Sequence, residues 1–184
     1  DVYQKDPVTE GSTVQFSLTY GHRQGSGSGT AANDNDPYKA IYTQYANTLL
    51  NAGDKIWTFD SSGDSEHFYA LSVKRSLFKD RVDPGNWELQ LAGGQVNASN
   101  KKTIKLIDDS STSVTTVNDA GITEYNVVSG SIQGGSTIIQ KAAASEGTDS
   151  GSYGKFYPDL GVIILNATRL QVSDLGDPTD AIGG

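Results

Sequence analysis

The segment Tyr153-Gly154-Lys155-Phe156-Tyr157-Pro158-Asp159-Leu160-Gly161-Val162-Ile163-Ile164-Leu165 sets the class of fold. Its last four residues, three β-branched and one leucine, run without a polar interruption after a cluster of turn residues. A strand with one wet face alternates polar and apolar side chains, so an unbroken run of this kind belongs to a central strand covered on both faces. Pro158 and Gly161 bracket a reversal between it and the aromatic run Tyr153 to Tyr157. A doubly covered strand needs neighbours on both sides and a layer on both faces, which predicts a mainly β chain.

The same reading extends towards the N-terminus. Val14, Phe16, Leu18 and Tyr20 alternate with Gln15, Ser17 and Thr19, the pattern of a strand with one buried face. Asp36 before Pro37 is an N-cap followed by a proline pre-set for the first helical turn, and Tyr38, Ile41, Tyr42, Tyr45 and Leu49 recur at helical spacing. One amphipathic helix is therefore predicted at about 37–51, stopped by Asn51-Ala52-Gly53-Asp54. Further strands are expected at Ile56 to Phe59 and at Phe68 to Val73, the latter with both faces partly covered. Another runs through Trp87, Leu89 and Leu91 after the tight turn Asp83-Pro84-Gly85-Asn86, and one more covers Thr103 to Ile107 and ends at a solvent-facing Asp108-Asp109.

Two stretches lack an apolar pattern. Residues 21–35 contain Gly25-Ser26-Gly27-Ser28-Gly29, and residues 108–153 hold scattered Val and Ile in a field of Ser, Thr, Gly, Asn and Ala. Both are predicted loop excursions, the second either short strands with wide loops or a segment ordered by a neighbour. The expected organisation is a single β-rich α+β domain over 1–173, an antiparallel sheet or sandwich with long Gly/Ser/Thr-rich loops, and an acidic linker or arm at 174–184.

Composition narrows the chemistry. The chain has 184 residues, 35% hydrophobic and 20% charged, with 21 Gly and 5 Pro, a mixture suited to turns and short strands. With no Cys there is no disulfide framework, thiolate metal site or thiol catalysis, and two His, His22 and His67, leave little for metal or acid–base work. No metal or other cofactor is implied. A net charge of −8 argues against nucleic acid and anionic membrane as main partners. No run reaches the length of a membrane span, and Asp1-Val2-Tyr3 shows neither an initiator Met nor a signal pattern, the look of a chain processed or cut from something larger.

The glycine-rich loop is a poor phosphate cradle. Thr30 stands where a dinucleotide fingerprint needs its third glycine, no Walker lysine follows, and Gly27, not a serine, occupies the centre of the nucleophile-elbow spacing. Asp60, Asp64, Glu66 and His67 are the carboxylates and histidine nearest to a hydrolytic or cation-binding set, though a polar strand entry in water has the same composition. Lys74, Arg75, Lys79 and Arg81 form a basic cluster in an acidic chain, fitted either to a protein interface or to solvent. Asn97-Ala98-Ser99 and Asn166-Ala167-Thr168 match the glycosylation triplet by coincidence of composition. Nine Tyr exceed what a core needs, and tyrosine suits wet contact surfaces. Interface candidates are accordingly His22, Arg23, Tyr38, Tyr42, Tyr45, Lys74, Arg75, Lys79, Arg81 and Trp87.

Tyr20-Gly21-His22-Arg23-Gln24-Gly25-Ser26-Gly27-Ser28-Gly29, Lys39-Ala40-Ile41-Tyr42-Thr43-Gln44-Tyr45 and Arg81-Val82-Asp83-Pro84-Gly85-Asn86-Trp87-Glu88-Leu89 resemble virion structural proteins of contractile-tailed phages, especially T4-like phages of marine cyanobacteria. The resemblance covers roughly the first half of the chain. It implies a non-enzymatic subunit of tail, baseplate, neck or capsid surface, located in the virion. Its partners would be other virion proteins and copies of itself in a symmetric assembly, touching through 21–35 and 108–154. A carbohydrate-binding or host-recognition module is the alternative, with Trp57, Trp87 or exposed tyrosines offering ring faces to sugars. A hydrolase built on Asp60, Asp64, Glu66 or His67 ranks behind both.

Overall fold

A computed structural model describes residues 1–6, 8, 11–25, 36–59, 64–93, 102–112, 116–118, 120–139 and 152–172. In chain order the strands are β1 (Val2–Tyr3), β2 (Val14–His22), β3 (Trp57–Thr58), β4 (Asp64–Ser65), β5 (His67–Val73), β6 (Leu89–Gly93), β7 (Lys102–Asp108), β8 (Thr116–Val117), β9 (Thr123–Gln133), β10 (Ser136–Ile139), β11 (Gly154–Tyr157) and β12 (Val162–Asn166). The helices are α1 (Pro37–Leu49), with its first turn directly after Asp36, and the six-residue α2 (Ala167–Val172). The fold is mostly β, with one antiparallel, curled sheet in the order β1-β2-β5-β12-β11-β9-β7-β6. β8 and β10 add to β9, while β3 and β4 pair with each other.

β12 lies between β5 and β11, as its unbroken apolar run predicts. Ile164, fully buried, faces one core cluster with Phe68, Ala70, Tyr157 and the helix residues Tyr42, Ala46 and Leu49. Ile163 and Leu165 face the other, with Leu71, Leu106, Val127 and Phe156. Burying each such side chain contributes about 1.5–3 kcal/mol, so two faces make this strand the anchor of the sheet. The turn at Pro158 to Gly161 closes the β11–β12 hairpin, Gly161 at φ +64° with its Cα against the Phe78 ring.

α1 begins where the sequence places it. The Asp36 carboxylate accepts from Tyr38 N at 2.8 Å and Lys39 N at 3.4 Å, satisfying amides that the first turn leaves without partners. Tyr42, Ala46 and Leu49 recur on the buried face and press it onto the sheet. At the centre Phe68 lies 5.2 Å from Tyr42, 5.6 Å from Tyr45 and 4.9 Å from Trp57, ring centroid to centroid. Phe68 pairs with Gly21 across β2 and β5, and a Cβ on Gly21 would stand 2.7 Å from the end of the Phe68 ring. The absence of a side chain at position 21 is what lets this ring fit under the strand.

Two expectations are corrected and one is made definite. The apolar face of β2 is only partly buried, Phe16 packing against a core cluster while Leu18 is 55% exposed, and α1 packs against the opposite face, which carries Ser17, Thr19 and Gly21. Small residues allow the helix close to the sheet, so size outweighs hydrophobicity there. The stretch 108–153, predicted as short strands with wide loops or as a segment ordered by a neighbour, is strand-rich in its described part, with the short β8 and β10 beside one long strand. Its eleven-residue β9 joins β7, β8, β10 and β11, and the loop Gly134-Gly135, at φ +58° and +80°, closes the β9–β10 hairpin. Two successive positive φ angles fit a type I′ turn, whose twist matches the strands, and Gly-Gly supplies it without strain. Lastly, Asp108 and Asp109 are buried. Asp108 accepts from Gly85 N at 2.8 Å and Ser110 N at 3.1 Å, fastening the Pro84-Gly85 turn to β7, and Asp109 accepts from Asn126 N and Nδ2, both at 2.9 Å. Residues 26–35, 94–101, 140–151 and 173–184, with most of the first predicted excursion, the triplet at Asn97 and the acidic arm, lie outside the described residues.

Candidate functional site

β2 is nine residues long, but β1 pairs only with its Val14 and Phe16. Among the described residues, the far half of β2 therefore has β5 on one side and no strand on the other. Alternation places Leu18, Tyr20 and His22 on one face of that open edge, and the antiparallel register sets Leu71, Tyr69 and His67 opposite them. The chain's two histidines thus meet as cross-strand neighbours, their rings stacked 12° from parallel with centroids 5.6 Å apart. Tyr20 sits among Tyr69 at 5.4 Å, Tyr38 of α1 at 5.5 Å and His67 at 6.2 Å. The result is a partly exposed platform of three tyrosines and two imidazoles beside Leu18.

Its electrostatics follow from half-burial. Desolvation lowers the His67 pKa, His22 adds to the lowering, and Glu66 opposes it. Burial raises the phenol pKa of Tyr69, and of Tyr20 with smaller contributions from Tyr69 and Tyr38, so the rings present neutral hydroxyls. At the rim Arg23 grips Glu66 with two bonds, Nε–Oε2 at 2.7 Å and Nη2–Oε1 at 2.6 Å, and Arg23 N donates to Glu66 O at 2.7 Å. This fork holds Glu66 below the usual carboxylate range and fixes the end of the β2–β5 ladder.

The other interface candidates separate. Tyr42 is 2% exposed and donates its hydroxyl to Ser65 O at 2.8 Å, a core role set by its place on the inward stripe of α1. Tyr45 is half-buried with its hydroxyl 2.9 Å from Ser72 Oγ. Lys74, Arg75, Lys79 and Arg81 are exposed around a short 3-10 turn, Arg75 lying over the Phe78 ring at 4.4 Å. Trp57 is 1% exposed and offers no ring face to a sugar, while Trp87 is partly buried, packed T-shaped against Phe156 with ring centroids 5.2 Å apart. Asp64 accepts from Thr58 Oγ1, Glu66 is held by Arg23 and His67 stacks on His22. The structure does not bring these three to one centre, and Asp60 lies outside the described residues. Among the described residues no group of three metal-ligating side chains occurs. Asn166, of the second glycosylation triplet, is buried and accepts from Arg169 N at the start of α2.

One feature the sequence did not disclose is a cavity of about 430 Å³ where the end of α1 and β3–β4 meet β9 and β11. Asp54, Lys55, Asp64, Glu124 and Lys155 line it, with Trp57 and Tyr157 forming its inner wall. Lys155 Nζ lies 3.4 Å from Glu124 Oε1 and donates to Asn126 Oδ1 at 2.8 Å, the Lys155 and Glu124 side chains being only 18% and 16% exposed. Trp57 Nε1 donates to Tyr157 Oη at 3.4 Å. Burial pushes the Tyr157 phenol far up, the Trp57 N–H opposing and Glu124 adding, so it remains a proton donor. The five charged residues are spread over a hundred positions, and no local spacing links the Asp54–Lys55 pair and Asp64 to Glu124 and Lys155.

No protein-family model matches the chain, and comparison with curated proteins and with solved structures gives no match either.

Proposed function

We propose that this chain is a non-enzymatic structural subunit of a phage virion, part of a tail, baseplate, neck or capsid surface, that works through contact with other virion proteins and with copies of itself. The observation that carries the reading is the edge of β2 at residues 18–22, which has no strand partner among the described residues, flanked by the tyrosine–histidine platform and the 55%-exposed Leu18. An unpaired edge offers backbone donors and acceptors to a second strand, and the rings beside it supply contact area with little side-chain entropy to lose. The sequence resemblance supplies the virion context, and the exposed basic corner at Lys74, Arg75, Lys79 and Arg81 gives an acidic chain a surface complementary to its own charge.

Sedimentation velocity over a concentration series, paired with amide hydrogen exchange, tests this. The wild type is expected to self-associate, with protection appearing at residues 18–22. Leu18→Lys, a charge on the exposed face of the edge strand, is expected to leave a folded monomer. A wild type that stays monomeric at every concentration, with exchange at 18–22 unchanged throughout, refutes the reading.

A further inference from the structure

The cavity between α1, β3–β4 and β9–β11 lies apart from the β2 edge and calls for its own account. A Lys–Glu pair shielded to this degree is a weak source of stability, since desolvation offsets most of its attraction and apolar residues would join β9 to β11 equally well. What the pair adds is a fixed donor and acceptor at the floor of an open cavity. A lysine ammonium has three protons, and Lys155 directs them to Glu124 and Asn126 with one to spare. Glu124 retains lone pairs beyond those facing Lys155 and Tyr157. Among the described residues the Asp54 carboxylate has no partner, and Asp64 has one oxygen beyond that bonded to Thr58.

Charge and shape then select a ligand. The rim sets two carboxylates, Asp54 and Asp64, against one ammonium, Lys55, whose Nζ reaches Asn47 Oδ1 at 3.5 Å, so its net negative charge disfavours phosphates and other anions. A cation drawn to that rim meets the Lys155 ammonium at the floor. The lining is more polar than apolar, which excludes a hydrocarbon tail. Alternating acceptors and donors with little net charge match vicinal hydroxyl groups, each of which gives one hydrogen bond and takes others. About 430 Å³ falls within the size range of small-molecule sites. We propose that this cavity binds a neutral polyhydroxylated molecule, a saccharide, by hydrogen bonds to Asp54, Asp64, Glu124 and Lys155, without the ring stacking that exposed tryptophans would have provided.

A printed array of mono- to tetrasaccharides, followed by amide NMR titration of the full chain with its strongest hit, tests the site. Shifts are expected to centre on residues 53–58, 64, 124 and 155. Asp64→Asn and Glu124→Gln are each expected to weaken binding roughly tenfold, the loss of one charge-assisted hydrogen bond, with Tyr38→Ala on the platform leaving it unchanged. Asp64 is exposed, so its variant keeps the test intact even where Glu124→Gln unfolds. No hit on the array, shifts confined to residues 18–22 and 67–69, or tighter binding of butylamine or inorganic phosphate in the cavity overturns the proposal. None of these results depends on whether the chain self-associates.

Discussion

Gly21→Ala places one methyl group where the fold has no room. The added Cβ would stand 2.7 Å from Phe68 Cζ and 3.0 and 3.1 Å from the adjoining ring carbons, against about 3.5–4.0 Å for relaxed carbon contact. The Phe68 ring cannot swing away freely, because Tyr42, Tyr45 and Trp57 enclose it at 4.9–5.6 Å between centroids. Overpacking of this kind costs about 1–3 kcal/mol, or a fall in Tm of roughly 4–8 °C at the middle of that range for a chain of this size. Phe68→Leu alone leaves a partly filled cavity and costs about 2 kcal/mol, below the range for truncation to alanine. The double variant should then cost about 2 kcal/mol rather than the sum of about 4, since a shorter side chain accepts the new methyl. Urea unfolding followed by far-ultraviolet circular dichroism, with tryptophan fluorescence alongside because Trp57 touches Phe68, measures all three differences. If the two changes add within about 0.5 kcal/mol, or if Gly21→Ala is neutral, the close approach of β2 to the Phe68 ring is not what positions α1.

Three further outcomes are expected. Asp36→Ala removes the acceptor for Tyr38 N and Lys39 N and should destabilise by about 1 kcal/mol in urea unfolding, with Asp36→Ser retaining most of it. Asp108→Ala leaves Gly85 N and Ser110 N without their carboxylate and should cost about 3 kcal/mol, with amide exchange accelerated at residues 84–86 and at 110. His67 has a lowered pKa in the fold, so the unfolded chain binds its proton more readily. Its contribution to stability is complete above pH 6.5 and is lost as pH falls from there through the folded midpoint, and His67→Gln should flatten that part of a urea-midpoint profile.

The parts of the fold that were legible are those with local causes. Val162 to Leu165 announces a central strand because both faces of a buried strand must be apolar. Asp36-Pro37 announces the start of a helix because the first amides need an acceptor and proline needs none. β9 was hidden by its small polar composition, although Gly134-Gly135 between Gln133 and Ser136 was a readable hairpin signal. The platform was half legible: His22, Arg23 and Tyr38 stood out as surface residues, but their meeting with Tyr20, His67 and Tyr69 depends on the register of β2 against β5. Tyr42 shows the opposite case, since a tyrosine on the apolar stripe of a helix is also a core residue and only the packing tells the two apart.

By itself, then, the chain determined its strand-rich character, the bounds of its long helix and most of its turns, all consequences of backbone preference and side-chain period over a few residues. Only the tertiary structure decided which face of β2 the helix covers, that Asp108 and Asp109 are inside, and that Asp54, Asp64, Glu124 and Lys155 share one cavity. Those outcomes depend on steric fit and charge between residues far apart in the chain, and the free energy of such contacts exists only once the sheet has brought them together.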